Sequence, residues 1–453
     1  MKNTVRRSVL IILVLLVPTW IAAWAQEEVL SQGQKEDLVA KLCERIEKTY
    51  VFTENTEKLC GLLKANLTGE RYRGASSARE FAALLDQDIE AATHDQHFGI
   101  TYDPKQAKEM AAEAGKSASF YTPQLVEEYR RMNYGFKEVK ILEGNVGYLD
   151  LRDFFPLRWS AEPAVAAMGY LANCDAVIVD LRWNGGGEDT TVTFLLSYFI
   201  DSRDSTTTFS TRYSRFNDSY YSASTWPYVP GKGLYTKPLY VLISKSSFSG
   251  AEAFAFHLQT LKRATLIGER TRGGANPVEI QEIDGKYVVY IPSEKLVSSL
   301  AGGDWEGVGV KPDIEADAAG ALAVAHEEAL KGLAAKAADD GQRSYFRWTL
   351  ESVQAGNRPA VIVAADLLRS YAGKYNGDWT ISLEKDGLFF QRGARAKLRM
   401  VPMAQDLFLV ENMDQVRLRF VKEADGSFRL DAQHEDGRVI PHPKDNHSQV
   451  NKR

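Results

Sequence analysis

A serine that opens a helix directly behind a buried strand holds its hydroxyl where free backbone N–H groups favour negative charge. Phe248-Ser249-Gly250-Ala251-Glu252 is such a junction, with an apolar run at 239–244 before it and helical periodicity at 251–261 after it. Gly250 lets a substrate backbone approach closely and offers its N–H to an oxyanion. The same residues also read as a plain helix start, because Ser249 and Glu252 form the S-x-x-E of a capping box. Ser244, Ser246 and Ser247 compete for any role. A second segment, Asp180-Leu181-Arg182-Trp183-Asn184-Gly185-Gly186-Gly187, again follows an apolar run. Its three glycines can bring backbone donors against an anion or carbonyl, or simply make a flexible turn. No Gly-Lys-Ser/Thr follows and the G-x-G-x-x-G spacing is absent, so neither nucleotide-binding loop is present. The third segment is His94-Asp95-Gln96-His97. Two histidines three apart suggest a metal pair, yet no further His/Cys/Glu set at ligand spacing lies nearby, and no metal is expected. Read on its own, the segment is either a pair of surface histidines or the source of a general base, since a histidine titrates near neutral pH and can take a serine proton.

The elements that must position these residues follow from periodicity. Apolar residues recur at three and four over 35–69 and from about Ser77 to Ala92, which predicts a helical lead-in domain over 26–130. From Phe136 onward short apolar runs (146–151, 176–181, 239–244, 264–268) alternate with helical stretches (161–173, 190–200, 251–261). That alternation predicts a largely parallel sheet with covering helices, an α/β catalytic domain over 131–316. The polar, aromatic stretch 206–235 reads as a long excursion that shapes a site. Residues 317–365 read as a helical linker. After Leu368 the period becomes two, and Asp386-Gly387, Asp425-Gly426 and Asp436-Gly437 are spaced like hairpin turns. A small antiparallel β domain, sandwich or barrel, is expected over 366–445, with a frayed tail at 446–453. The whole is therefore a multidomain α/β chain. Its 453 residues exceed a single ordinary core.

With 44% hydrophobic and 25% charged residues, the composition excludes a disordered, collagen-like or multi-span membrane chain. The net charge of −5, without a basic tract, argues against a nucleic-acid partner. Lys2, Arg6 and Arg7, the apolar run 9–17 and Ala23-Trp24-Ala25 form a three-part secretory signal over 1–25, cut after Ala25. The mature chain then carries −8, has no integral membrane span and resides in the periplasm or outside the cell. In that oxidising space Cys43 and Cys60 are candidates to pair, with Cys174 left buried.

Taken in order, four motifs resemble the tail-specific (C-terminal-processing) serine protease family: Asp180-Leu-Arg-x-Asn-Gly-Gly-Gly187, Ser247-x-Ser-Gly-Ala-Glu-Ala-Phe-Ala255, Ala264-Thr-Leu-Ile-Gly-Glu-Arg-Thr-Arg-Gly-Gly-Ala275 and Glu306-Gly-Val-Gly-Val-Lys-Pro-Asp313. Their order and spacing are similar to the branch typified by interphotoreceptor retinoid-binding protein and the tricorn protease core. The likeness covers about residues 35–315. It implies a crotonase-like (ClpP/crotonase type) α/β core, a nucleophile at Ser249, a general base at His97 and a carboxylate at Glu306. Gly186 and Gly250 are implied as the oxyanion donors, with Gly185 an alternative, each donor supplying about 3–4 kcal/mol in the transition state. The better-known branch carries a lysine base in Gly-Lys-Gly; here that stretch is Thr271-Arg272-Gly273-Gly274-Ala275, so a histidine must serve. Where the tricorn-type tetrad has a serine before its histidine, this chain has Gln96, the candidate fourth position. No PDZ-like insertion precedes the sheet. The expected activity is an exported endopeptidase that acts on unfolded or C-terminal polypeptide segments through an acyl-enzyme, without cofactor. The rivals are a non-catalytic binder of apolar ligands or peptides, with the aromatic stretch 209–228 as its lining, and a crotonase-type acyl-thioester enzyme.

Overall fold

The computed structural model describes residues 29–113, 121–202 and 204–445. The secretory signal expected over 1–25 and the tail at 446–453 lie outside the described residues. The first helices are α1 (Gln32–Thr49), α2 (Thr53–Thr68) and α3 (Ala78–Thr93). Ser31 with Gln34, and Ser77 with Glu80, close reciprocal capping boxes that fix the starts of α1 and α3. Leu38, Leu42 and Ile46 meet Leu59, Leu63, Phe81, Leu85 and Ile89 in one buried cluster, as their spacing requires. Cys43 and Cys60 lie in this cluster as free thiols; Cys60, hydrogen-bonded to it, and burial both push the Cys43 thiol upward.

The lead-in region is not purely helical. His94, in the left-handed region at φ 55°, turns the chain out of α3 and into strand β1 (Gly99–Tyr102). Two further helices follow, α4 (Pro104–Glu113) and α5 (Pro123–Arg131). The core then runs β2 (Phe136–Leu142), β3 (Val146–Leu151), α6 (Leu157–Leu171), β4 (Ala176–Asp180), α7 (Asp189–Leu196), β5 (Thr208–Ser214), β6 (Ser219–Ser224), β7 (Leu239–Ile243), α8 (Gly250–Thr260), β8 (Thr265–Gly268), β9 (Val278–Ile283), β10 (Tyr287–Pro292), β11 (Glu294–Ser299) and β12 (Ile314–Glu315). Strand β1 pairs antiparallel with β10, Gly99 opposite Tyr290, and Ile283, Tyr287, Val289 and Ile291 share the helical cluster's core. The lead-in domain and the catalytic unit are thus sewn together by a sheet. The stretch 206–235 contains a hairpin, β5–β6, joined by β11 into a second three-stranded sheet.

The central sheet has the order β12-β8-β7-β4-β3-β2, parallel except for the β2–β3 hairpin. Its side chains alternate between two covered faces. Leu149, Val177, Val179, Val241 and Ile243 pack with helices α6–α8, whereas Tyr148, Ile178, Tyr240 and Leu242 pack on the opposite face. Burial on both faces is why these strands read as unbroken apolar runs. The second face is covered by α9 (Ala321–Ala335), through Ala321, Ala325, Ala329 and Leu330, together with Phe346 of α10 (Asp340–Asn357). Residues expected as a linker therefore form a layer of the core; the small alanine face lets α9 lie close to the strands.

Helix α11 (Ala365–Tyr371) leads into eight strands: β13 (Gly373–Tyr375), β14 (Trp379–Glu384), β15 (Gly387–Arg392), β16 (Leu398–Pro402), β17 (Leu407–Val410), β18 (Val416–Lys422), β19 (Phe428–His434) and β20 (Val439–His442). They form a consecutive antiparallel meander, with each of the three Asp-Gly pairs at a hairpin turn. Asn376 N donates to Pro443 O at 3.0 Å and Asp445 N to Lys374 O at 2.9 Å around an isolated Tyr375–Lys444 bridge, which brings the two end strands together so that the sheet nearly closes into a barrel. Tyr371, Tyr375, Phe390, Phe408 and Phe420 fill its interior, the Tyr371 and Phe420 rings stacked at 3.9 Å. The barrel docks on α10, where the Arg417 guanidinium lies 3.7 Å over the Trp348 ring. No helix of the described residues is long and apolar enough to cross a membrane.

Candidate active site

The carboxyl ends of parallel strands are where an open α/β sheet binds its ligands, and the chemistry-bearing segments emerge there. Ser249 follows β7 and precedes α8 with φ 53° and ψ −117°, a conformation that side-chain-bearing residues rarely adopt. Such strain costs about 1–3 kcal/mol and marks a residue held for a purpose. Gly250, first in α8, has an N–H with no acceptor within the helix. Glu252 completes the box by accepting from Ser249 N at 2.9 Å.

The glycine segment lies against this elbow. A Cβ on Gly186 would stand 2.7 Å from Ser249 Cβ and 2.9 Å from Gly250 N, so nothing larger fits. The Gly186 N–H, however, donates to Asn184 Oδ1 at 2.8 Å. The bridge to Phe154 uses Gly186 O and Glu188 N, which leaves Gly187 N outside it, in a position 3.2 Å from where a Gly250 Cβ would be. Gly185 and Gly187 line the cavity over the serine together with Gly250.

That cavity, of about 890 Å³, joins the lead-in region to the core and is lined by both His97 and Ser249. The two residues are thus brought together across 152 positions of sequence. His94, by contrast, ends α3 on the surface. The His97 ring stands 4.3 Å from that of Phe248, the residue before the serine. Neither ring nitrogen of His97 has a hydrogen-bond partner. Burial, then the positive charges of Arg272 and Arg212, lower its pKa to about 4, so the imidazole is neutral at physiological pH. Glu306 Oε2 accepts from Ala275 N at 2.5 Å and Asn276 N at 3.1 Å, while its buried Oε1 is unpartnered. Burial, and then the charge of Asp95, raise the Glu306 pKa to about 7.

Asp95, His97 and Glu306 each place one ligand atom within 4.8 Å of the other two. This is the only grouping of three such residues among the described residues, and it suits either a small divalent cation or an acid–imidazole pair. Both Asp95 oxygens are already engaged, by His97 N at 3.0 Å and Asn276 Nδ2 at 3.0 Å, which favours the acid–imidazole pair. The same bonds make Asp95 and Asn276 supports of the site that spacing alone did not reveal. Gln96 does not approach as a fourth member. Its amide donates to Arg272 O at 3.0 Å and accepts from Arg272 Nε at 2.7 Å, tying the lead-in region to the catalytic loop.

Loop residues 271–276 carry no lysine base, yet they organise the site. Trp305 Nε1 donates to Gly274 O at 2.7 Å. A Cβ on Gly274 would fall 2.3 Å from Phe248 Cε2 and 2.6 Å from His97 Cε1. Gly274→Ala is therefore expected to displace the imidazole and lower kcat by about 10²-fold or more, since misplacement by an ångström costs that much. Its melting temperature should stay near that of the wild type; wild-type turnover in the variant would show that His97 does not need its observed place.

Residues 145–316 match peptidase family S41. Among solved structures, the chain is similar to the photosystem II D1 C-terminal processing protease, at 14% identity over 63% of this chain and 93% of that one, with a TM-score of 0.36. It is also similar to mature CPAF (13%, 74% and 99%, TM-score 0.43) and the tricorn protease (13%, 71% and 37%, TM-score 0.39). Likenesses at this level add nothing to the family match, which itself includes Ser249 and Glu306 but not His97. Residues 145–316 thus form a peptidase family S41 domain, and through that domain a serine-type peptidase is the activity the chain supports.

Proposed function

We propose that the protein is an exported endopeptidase that cleaves unfolded or C-terminal polypeptide segments through an acyl-enzyme on Ser249. The observation that carries this reading is one cavity lined by a strained serine at a helix start and a neutral imidazole, with a carboxylate grouped beside that imidazole and one of its oxygens buried and unpartnered. His97 takes the Ser249 proton as Oγ attacks the scissile carbonyl. Gly250 N–H and a second amide, Gly187 in preference to Gly186, receive the oxyanion. Glu306 stabilises the imidazolium, which then protonates the leaving amine; water deacylates the enzyme by the same route. Hydrogen bonds of such a set are often open without substrate and close in the Michaelis complex. The basic, apolar leader at residues 1–25 supports export.

The cavity wall favours a peptide over an apolar ligand. Asp86, Glu188, Asp189, Glu279 and Glu294 line it beside Arg79 and Arg212. Of the aromatic stretch 209–228 only Arg212 and Tyr221 reach it, while Phe216, Tyr220 and Tyr228 are exposed elsewhere. An extended chain fits a cavity of this volume, whereas a folded domain does not.

The test is hydrolysis of an unfolded protein and of the same protein folded, measured across pH. Below neutral pH the group that changes charge is Glu306, whose pKa burial and then the charge of Asp95 raise to about 7, while His97 stays neutral down to about 4. Glu306 must be ionised to support the imidazolium, so kcat/KM should rise tenfold per pH unit below about 7 and level above it. Glu306→Gln should remove that limb and reduce kcat about 10²–10⁴-fold. Equal cleavage of the folded protein, or an unaltered limb in the variant, would contradict the proposal.

A further inference from the structure

The mechanism above uses three side chains, and all three are tied to a fourth that it leaves unused. Glu252 is fully buried in the first turn of α8, three residues after Ser249. Its Oε2 accepts from Ser249 N at 2.9 Å and Gly274 N at 2.8 Å; its Oε1 accepts from Thr271 Oγ1 at 2.5 Å and Gly273 N at 2.7 Å. Only the first of these bonds belongs to a capping box, and the other three reach a loop about twenty residues away. That loop carries Gly274 against His97 Cε1, and its next two amides hold Glu306 Oε2. Asn276 in turn reaches Asp95, which holds His97 N.

We infer that Glu252 is a positioning residue: its buried carboxylate locks the nucleophile's elbow to the loop that sets both the base and the acid, so that catalytic geometry passes through one side chain. This inference rests on the reading of Ser249, His97 and Glu306 given above. Three of the four partners are backbone N–H groups that can only donate, and the Thr271 hydroxyl, which already accepts from Val310 N at 2.7 Å, donates the fourth bond, an arrangement that an ionised carboxylate satisfies in full. The helix N-terminus favours that charge, and the four bonds oppose the upward push that burial gives the carboxyl. In Glu252→Gln the amide nitrogen faces either Ser249 N and Gly274 N, losing two bonds, or Gly273 N and Thr271 Oγ1, losing the first and reversing the second, since a hydroxyl can also accept. The loop is then released from the elbow while the strands beneath keep their apolar packing.

The test compares full-length wild type, Glu252→Gln and Thr271→Val for turnover, pH profile and fluorophosphonate labelling of Ser249. For folded Glu252→Gln the expected result is a kcat lower by about 10²-fold with KM within threefold, slower labelling, and an acid limb displaced from its wild-type position because the amides on Glu306 have moved. A folded variant with kcat within threefold and an unmoved limb would overturn the inference. Should Glu252→Gln not fold, Thr271→Val, which removes one of the four donors, decides in its place: a lower kcat with a displaced limb supports the role, and an unchanged profile overturns it. Wild-type protein that does not label at Ser249 would instead overturn the nucleophile assignment, so the two failures are distinguishable.

Discussion

Ser249→Ala is expected to lower kcat by about 10⁵–10⁶-fold and to abolish covalent labelling by a fluorophosphonate, with the fold intact. The size follows from what the hydroxyl does: without it no acyl-enzyme forms, and the residual rate is what substrate binding and the oxyanion donors give to attack by water. The fold should survive because Glu252 accepts from the Ser249 backbone N–H, which alanine keeps, and because the elbow is held by the Ala253 N to Ser249 O and Ala251 N to Phe248 O bonds at 2.9 and 3.0 Å. Alanine must adopt the same φ 53°, a strain of about 1–3 kcal/mol that the serine already carries, so the melting temperature is expected to stay near that of the wild type. Ser244 Oγ and Ser247 Oγ donate to Arg182 O and, at 2.7 Å, to Leu181 O, and so are structural pins rather than free nucleophiles. Activity retained in Ser249→Ala together with its loss in Ser246→Ala would move the nucleophile by three residues and dissolve the assignment.

Legibility in the sequence tracked how local each signal was. Strands β3, β4 and β7 stand out as apolar runs because both of their faces are buried, and the three Asp-Gly turns mark the barrel because hairpin geometry demands them. Strand β1 was hidden, since four residues between helices gain their strand character only from β10, nearly two hundred residues later. Helix α9 shows its alanines in the sequence, but not that they face Tyr240 and Leu242. Ser249, His97 and Glu306 were found through ordered motifs and do meet around one cavity and its supporting loop. Gly186 was the natural oxyanion candidate until Asn184 took its N–H, a bond two residues long that the glycine run conceals. Glu252 looked like a helix cap because three of its four partners come from a loop that only the fold returns to it.

His97→Ala should cost nearly as much as loss of the serine, about 10⁴–10⁶-fold in kcat, and the Ser249→Ala/His97→Ala double variant should be no slower than Ser249→Ala alone. Residues that act as one unit give such non-additive losses, because the second removal finds nothing left to disable. The neutral state of the imidazole sharpens the expectation. Burial and two arginines hold its pKa near 4, so at pH 7 the base is fully unprotonated and its weakness as an acceptor is offset only once Glu306 closes on the charged form. Removal of the ring opens a space beside Phe248 and Gly274 that free imidazole can enter from the cavity. Added imidazole should restore part of the labelling rate of Ser249 in His97→Ala, and none in the double variant. Burst kinetics in His97→Ala within tenfold of wild type would leave the serine without this base; among the described residues no other histidine lines the cavity, so the proton would have to pass to a carboxylate such as Glu306 itself.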